Sequence, residues 1–285
     1  MTLKGVGIKI REMGAERRII IMKSNFHTHV QRCKHAEGSE EDYIKEALEK
    51  GLSQLGFSDH APYPDVDLGR RMLYEELADY LAAVEEMQER YWEKLVIRKG
   101  LEIEYLPQYR NYYEDLLTKH KVEYLLMGEH FYIDPQGRRA NTYEITSSTQ
   151  EYIAYAKTVA EGMRTGLFKA VAHPDLYMLN HFAWNEDCRR AADLIIDTAV
   201  ATDTILEYNA NGLRWAPDSY PDGVRQPYPY EGFWKMVAQA PVRVMVGSDC
   251  HSPQDLWDEA MEMSYRTLQE LGIEPVRELF PSDDR

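Results

Sequence analysis

The sequence predicts an α/β fold, a single barrel of seven parallel strands that are each followed by a helix. From residue 24 onward, short apolar runs alternate with amphipathic helical segments, and this alternation is typical of parallel sheets. Seven such units occur in 285 residues, a length at which an α/β barrel commonly forms one domain. No GxGxxG motif follows a predicted strand, which argues against an open dinucleotide-binding sheet.

Each strand is predicted from a short apolar run that ends in polar residues, and each helix from apolar residues at helical spacing. The first helix has a capping-box pattern, because Asp42 follows Ser39 by three residues, and it ends at Gly51. The predicted strands are residues 24–29, 52–60, 95–105, 122–130, 168–173, 204–209 and 242–251. The predicted helices are residues 39–51, 74–93, 106–120, 149–166, 186–200, 229–240 and 252–272.

Outside these units the chain has three longer segments without clear periodicity. Residues 1–23 carry mixed charge and precede the first unit, so we predict a loosely ordered N-terminal extension there. The remaining residues, 24–285, are predicted to form a single barrel domain. The stretches 132–148 and 210–228 are the longest irregular connections within it, and both are candidate lids.

Composition excludes several classes of function. The formal net charge of −15 argues against nucleic-acid binding, because such proteins usually present basic surfaces. No apolar run approaches the roughly 20 residues of a membrane helix, so we expect no membrane partner. With no targeting signal, a cytoplasmic location is expected. The three cysteines, Cys33, Cys188 and Cys250, are widely spaced, which argues against disulfides and thiolate zinc sites. The oligomeric state stays open.

Every predicted strand carries potential metal ligands toward its carboxyl end, where active sites lie in parallel barrels. Each motif has an ordinary explanation by itself, such as an ion pair of Glu102 with Arg98 or Lys99. Their joint occurrence at one end of one sheet indicates a functional site instead. In chain order these residues are His27 and His29, Asp59 and His60, Glu102 and Glu104, Glu129 and His130, His173, Glu207 and Asn209, and Asp249 and His251.

The HxH motif at 27–29 and the DxH motif at 249–251 each place two ligand groups on one face of a strand, because strand side chains alternate with period two. The whole set exceeds the roughly three protein ligands that a catalytic zinc takes. Two or three divalent metal ions are therefore expected. Nitrogen and oxygen ligands without sulfur suit Zn, Mn or Fe.

The ordered motifs HTH, GFSDH, KGLEIEY, MGEHFY, VAHPDL, LEYNANGLR and GSDCHSP resemble the PHP (polymerase and histidinol phosphatase) family, and most closely its monofunctional histidinol-phosphatase branch. The resemblance runs from about Asn25 to Leu271 and implies a distorted seven-unit β/α barrel with a trinuclear metal site. His27, His29 and Asp249 would hold the first metal. Glu102 would bridge it to a second, completed by His130 and His173. His35, His60 and His251 would hold the third.

The resemblance also implies catalytic and substrate-binding groups. Asp249 or His251 would move protons during the reaction. Arg214 is the leading candidate for a phosphate clamp, since its planar fork suits a phosphate, and Arg138, Arg139 and Arg225 rank behind it. Glu104, Glu207 and Asn209 are expected to lie behind the metal ligands or to contact the substrate. Relatives often have Lys or Arg soon after the strand-five histidine, but residues 174–181 contain neither, and His181 could substitute.

These inferences predict a metal-dependent phosphomonoesterase that binds a small phosphate ester. The expected reaction is hydrolysis of L-histidinol phosphate to L-histidinol and phosphate, a step of histidine biosynthesis. Three alternatives stay open. A related phosphoesterase could act on a nucleotide or a cyclic phosphate with the same ligands. An amidohydrolase-type barrel also begins with HxH but usually adds a lysine at a strand end. A metal-stabilised binding module would hold metal without turnover.

Overall fold

The computed structural model of the chain describes residues 22–280. The predicted N-terminal extension, residues 1–23, therefore lies almost wholly outside the described residues, and so do residues 281–285. The division into an extension and one barrel domain stays a prediction. Within residues 22–280, no helix is both long and apolar enough to cross a membrane.

Seven parallel strands form one sheet whose spatial order follows the chain, and two short hairpins contribute four more strands. The sheet strands are β1 (Ser24–Asn25), β2 (Gln54–Phe57), β3 (Val96–Ile103), β4 (Tyr124–Met127), β7 (Ala170–Val171), β8 (Ile205–Asn209) and β11 (Val244–Gly247). The hairpin strands are β5 (Phe131–Ile133) with β6 (Arg139–Asn141), and β9 (Asp218–Tyr220) with β10 (Gly223–Arg225).

The first and last strands of the sheet meet just beyond their carboxyl ends. Thr28 and Cys250 form a parallel bridge. On either side of it, the Asp249 amide donates to the His27 carbonyl at 2.9 Å and the His29 amide donates to the Cys250 carbonyl at 3.1 Å. These bonds nearly close the sheet into a barrel, which confirms the predicted fold class. Closure also brings the HxH and DxH motifs side by side.

The helices follow the predicted pattern, with most boundaries shifted by a few residues. They are α1 (Glu40–Glu49), α2 (Leu77–Tyr91), α3 (Arg110–Thr118), α4 (Gln150–Arg164), α5 (Glu186–Thr202), α6 (Asn211–Arg214), α7 (Glu231–Val237) and α8 (Glu259–Glu270). The predicted helix 252–272 is divided into a 3₁₀ turn, Pro253–Trp257, and α8. The break lies at Asp258, which has an extended backbone and caps α8 with its side chain, whose Oδ1 accepts from the Met261 amide.

The two stretches predicted to be irregular contain regular structure, so that prediction is wrong in detail. Residues 132–148 overlap the β5–β6 hairpin, and residues 210–228 hold α6 and the β9–β10 hairpin. These strands have three residues each, too short to give a periodic pattern. Both segments contribute residues to the cavity at the carboxyl ends of the sheet, and their role as lids stays a prediction.

A small apolar cluster packs with the sheet separately from the main core. Tyr124 is fully buried, and its hydroxyl donates to the Phe26 carbonyl at 2.8 Å. The ring fits there because Gly100 has no side chain; a Cβ at that position would lie 2.6 Å from the ring carbon Cε2. The cluster consists of Phe26, Tyr124, Leu126, Ala170, Ile205, Met245 and Leu279.

Candidate metal centre

The structure brings together all nine predicted metal ligands at the carboxyl ends of the strands. Five of the seven imidazoles in this set have Nδ1 near an oxygen that is not itself a predicted ligand atom: His27, His29, His35, His130 and His251. A histidine that donates from Nδ1 keeps an unprotonated Nε2, which is the usual state of a metal-binding imidazole. The ring orientations therefore suit a group of metal ligands.

The first predicted ligand group, His27, His29 and Asp249, is compact and buried. The two Nε2 atoms are 3.1 Å apart. Asp249 Oδ1 lies 3.6 Å from Nε2 of His27 and 3.1 Å from Nε2 of His29. Three ligand atoms that face one another at such distances could hold one metal ion.

Glu102 occupies the middle of the centre and faces both predicted metal positions. Its Oε2 lies 3.4 Å from Nε2 of both His27 and His29. Its Oε1 lies 3.0 Å from Nε2 of His173 and 3.7 Å from Nε2 of His130. A carboxylate with one oxygen toward each group has the geometry of a bridging ligand.

The third predicted group is less uniform than the other two. Nε2 of His35 and Nε2 of His251 are 2.9 Å apart. The ring centroids of His60 and His35 are 5.3 Å apart. Nδ1 of His60 also lies 3.0 Å from Glu102 Oε2. His60 therefore stands between the bridging carboxylate and the His35–His251 pair, and it could serve either metal position.

Three residues that were expected either to lie behind the metal ligands or to contact the substrate lie behind the ligands. Glu207 is fully buried and lies 2.6 Å from Nδ1 of His27. Asn209 donates to Oδ2 of Asp249 at 3.2 Å. Glu104 is also buried, and its Oε1 lies 3.1 Å from Nδ1 of His130. These atoms orient the ligands from behind, and a substrate contact of the same residues stays a prediction.

Arg214, the predicted phosphate clamp, is bonded to other residues of the protein. Its Nε and Nη2 donate to the carboxylate of Asp258 at 2.8 and 3.0 Å. Its Nη1 donates to the Ser248 carbonyl at 2.7 Å, and its side chain is only 15% exposed. Every nitrogen of the guanidinium is thus engaged by the protein, and Arg214 ties α6 to the segment before α8 instead of offering a fork to a phosphate.

One supporting group, Arg71, escaped the sequence analysis, and a second, Asp59, was among its strand-end candidates. Arg71 makes a bidentate ion pair with Glu104, with Nη1–Oε2 and Nη2–Oε1 distances of 2.8 and 3.0 Å. Asp59 Oδ1 lies 3.4 Å from Nδ1 of His29. Asp59, a potential metal ligand by its strand-end position, thus lies behind a ligand. The only sequence signal for Arg71 is a pair of arginines in a loop.

The electrostatics of the centre are dominated by mutual stabilisation of acids and imidazoles. Burial alone would lower the pKa of His27, but Glu207, Asp249 and Glu102 raise it well above its usual value. For the acid Glu102 the directions are reversed. Burial alone would raise its pKa, but the neighbouring imidazoles hold the pKa well below its usual range. For His29 the carboxylates outweigh burial and raise the pKa to about 9. These carboxylates attract cations, and metal ions can displace the imidazole protons.

One buried atom tests directly whether metal ions fit. Within the described residues, Oε2 of Glu102 accepts no hydrogen bond, although nitrogens of His27, His29 and His60 lie within 3.4 Å. A buried carboxylate oxygen without a donor is costly. Divalent cations between these atoms would satisfy it, so the residues present fit two or three metal ions with nitrogen and oxygen ligands.

Strained backbone marks the same place. His173 and Asp249 both have positive φ angles, +33° and +47°. A residue with a Cβ adopts this region at a cost of about 1 kcal/mol or more, and such strain concentrates at functional sites. Lys99, a lysine in the interior of β3, contacts Glu85 and donates to the His120 carbonyl at 3.3 Å. It therefore does not supply the lysine ligand of an amidohydrolase-type centre.

A cavity of about 690 Å³ opens onto the centre, and Asp249 and His251 are part of its wall. A second cavity of about 700 Å³ adjoins it, because Tyr143 and Trp215 line both. The second cavity also contains His181, whose Nε2 lies 3.5 Å from Oδ2 of Asp218. Together the two cavities offer one polar, metal-facing compartment and one largely aromatic compartment.

Comparisons with known proteins agree with this arrangement. The chain is 28% identical over 236 residues to a Deinococcus radiodurans protein named "Probable histidinol-phosphatase", covering 81% of this chain and 86% of that protein. It is 24% identical over 268 residues to the histidinol-phosphatase of Bacillus subtilis, covering 83% of this chain and 96% of that protein.

A solved structure has the same fold at low sequence identity. The histidinol phosphate phosphatase of Lactococcus lactis, crystallised with zinc, L-histidinol and phosphate, superposes with a TM-score of 0.68 at 14% identity. The superposition covers 89% of this chain and 95% of that structure. The PHP domain model matches residues 25–211. Because this match covers more than half of the chain, the chain belongs to the PHP domain family.

Proposed function

We propose that this protein is a metal-dependent phosphomonoesterase that hydrolyses L-histidinol phosphate to L-histidinol and phosphate. The observation that carries the proposal is Glu102, a buried carboxylate without a hydrogen-bond donor on Oε2 that faces imidazoles on both sides. Relatives named histidinol-phosphatase are similar to this chain over most of its length, and they support the choice of substrate. The location in the cytoplasm stays a prediction.

Metal ions in this centre would supply positive charge to the phosphate and an activated water. The chain's own residues hold and orient the reacting groups. Asp249 is fixed by Asn209 and Asn211, which donate to its Oδ2 at 3.2 and 3.3 Å, so its Oδ1 keeps facing the metal positions. Burial and the neighbouring His29 lower the pKa of His251 to about 3. The imidazole of His251 is therefore neutral at pH 7, which suits a metal ligand or a proton acceptor better than a proton donor.

The proposal is tested with the purified full chain loaded separately with Zn²⁺, Mn²⁺ and Fe²⁺. We expect phosphate release from L-histidinol phosphate with kcat/KM of about 10⁴ M⁻¹ s⁻¹ or more for the preferred metal. A chelator should abolish turnover, and the metal should restore it. Efficient cleavage of a nucleotide or a cyclic phosphate, without release from L-histidinol phosphate, would disprove this substrate. Bound metal without turnover of any phosphoester would instead indicate a binding module.

The aromatic cavity suggests where the leaving group lies. Its wall includes Tyr143 and Trp215, and His181 stacks on Tyr220 with ring centroids 4.8 Å apart. The carboxylate of Asp218 is the acidic group of this wall. An imidazole ring could stack among these side chains while one of its N–H groups donates to Asp218.

Replacing Asp218 by asparagine is expected to raise KM for L-histidinol phosphate about 10-fold, because a charge-assisted hydrogen bond to the leaving group is lost. KM for glycerol phosphate, which has no ring, should stay within about twofold. Steady-state kinetics with both substrates measures the difference. Glu46→Gln, on α1 beside Lys50, is the matched control. Equal changes for both substrates would place the leaving group elsewhere.

A further inference from the structure

The loop after β2 contains two consecutive arginines with opposite environments. Arg71 is buried, with only 5% of its side chain exposed, whereas Arg70 is exposed. Arg71 donates to Glu104 through both Nη atoms and also to the carbonyls of Ala61 and Gly69, at 3.1 and 3.0 Å. These bonds anchor this part of the loop to Glu104, the residue behind the predicted metal ligand His130. The anchored backbone of Arg71 in turn restricts where Arg70 lies.

The backbone before this anchor is held in an unusual conformation. Gly69 and Arg70 both have positive φ angles, +73° and +46°. The Gly69 amide donates to Oδ1 of Asp67 at 2.7 Å, which helps to fix the turn. Glycine adopts this region freely, but arginine does so at a cost of about 1 kcal/mol or more. Strain of this kind is often retained where it directs a side chain toward a ligand.

Arg70 lines the cavity that opens onto the metal centre, together with His35, His60, Asp249 and His251. Arg70 therefore belongs to the part of the cavity wall that contains the third predicted ligand group.

In the part of the chain that the structure describes, Arg70 also lacks a protein partner of the kind that engages Arg214. Among residues 22–280, no carboxylate lies within 4.0 Å of its guanidinium, and its side chain donates no hydrogen bond. In a chain with a net charge of −15, an arginine with no acidic partner is well placed to receive an anion that enters the cavity.

We propose that Arg70 binds the phosphate group of the substrate, with its guanidinium donating to two non-bridging oxygens. This inference rests on the proposed phosphomonoesterase function and adds a residue to its substrate site. The planar fork of arginine matches a phosphate in a bidentate manner, which the ammonium of lysine cannot do. Arg70 would then supply the positive side chain that residues 174–181 lack, and it takes the place predicted for Arg214.

The test compares Arg70→Gly, Arg70→Ala and Arg70→Lys with the unchanged protein, each as the full, metal-loaded chain. Glycine accepts the positive φ angle, so Arg70→Gly removes the side chain without adding strain. Titration calorimetry measures the Kd of inorganic phosphate, and elemental analysis measures bound metal. Steady-state kinetics with L-histidinol phosphate and glycerol phosphate follows turnover. Arg90→Ala, an exposed arginine on α2, is the control.

Loss of the Arg70 side chain is expected to weaken phosphate binding about 10- to 100-fold and to raise KM for both esters similarly. Metal content should be unchanged, and Arg70→Lys should recover only part of the affinity. Unchanged phosphate affinity in a fully metal-loaded Arg70→Gly protein would overturn the inference, even if the enzyme hydrolyses phosphoesters well. If the unchanged protein neither binds phosphate nor hydrolyses any phosphoester, both the inference and the proposed function fail.

Discussion

Replacing Glu102 by glutamine is expected to lower kcat/KM for the preferred phosphoester at least about 1000-fold and to reduce the amount of bound metal. The substitution keeps the size of the side chain but removes its charge and one acceptor oxygen. Glu102 faces His27 and His29 with Oε2 and His173 with Oε1, so this single change weakens two metal positions together.

The measurement combines steady-state kinetics with elemental analysis of the purified protein. Glu123→Gln is the matched control, because Glu123 precedes β4 and binds Arg98 at 2.8 Å instead of facing the centre. That control should retain its metal and its activity. A Glu102→Gln protein with full metal content and normal turnover would show that the carboxylate does not bridge the metals.

Replacing Gly128 by alanine is expected to displace Glu102 and so to lower metal binding and activity, although glycine carries no ligand atom. A Cβ at this position would lie far inside van der Waals contact of Oε1 of Glu102 and 2.6 Å from its Cδ. Glu102 is 1% exposed and lies among five imidazoles, so it cannot move aside without leaving its position. A displacement of about 1 Å commonly costs about 100-fold in activity, and we expect a loss of at least this size together with reduced metal content.

Gly166→Ala provides the comparison for this second substitution. Gly166 has a φ angle of +72°, and a Cβ added there would have no neighbouring atom within 4 Å. Alanine at this position therefore adds backbone strain of about 1 kcal/mol without pressing on the centre. Thermal unfolding should show a modest loss of stability for Gly166→Ala and unchanged activity. If Gly128→Ala retains metal and turnover, the carboxylate of Glu102 has more freedom than the packing around it indicates.

The ligand set was accessible to sequence analysis because of its local geometry. Strand periodicity places His27 with His29, and Asp249 with His251, on common faces, and parallel strands deliver such residues to one end of a barrel. The order of the motifs then matched the PHP family, which the family comparison confirms. The individual ligand assignments stay predictions, but the structure gathers all of these side chains.

The partners of the arginines were not accessible in the same way. Arg214 bonds to Asp258, 44 positions away, and Arg71 bonds to Glu104, 33 positions away. No local pattern reports such contacts, because they depend on how loops fold back over the sheet. The sequence around a loop arginine is therefore the same kind of polar sequence whether the arginine anchors the fold or faces a ligand.

By itself, the sequence determined the barrel, the end of the barrel that carries the chemistry and the kind of ligand, because periodicity and strand ends are local properties of the chain. Only the tertiary structure decided which polar groups face the cavity and which lie behind the ligands. Glu104, Glu207 and Asn209 proved to support ligands, and Arg70 rather than Arg214 was left without a protein partner among the described residues. The physical reason is that burial and hydrogen-bond pairing are set by contacts between distant segments, which form only when the sheet closes.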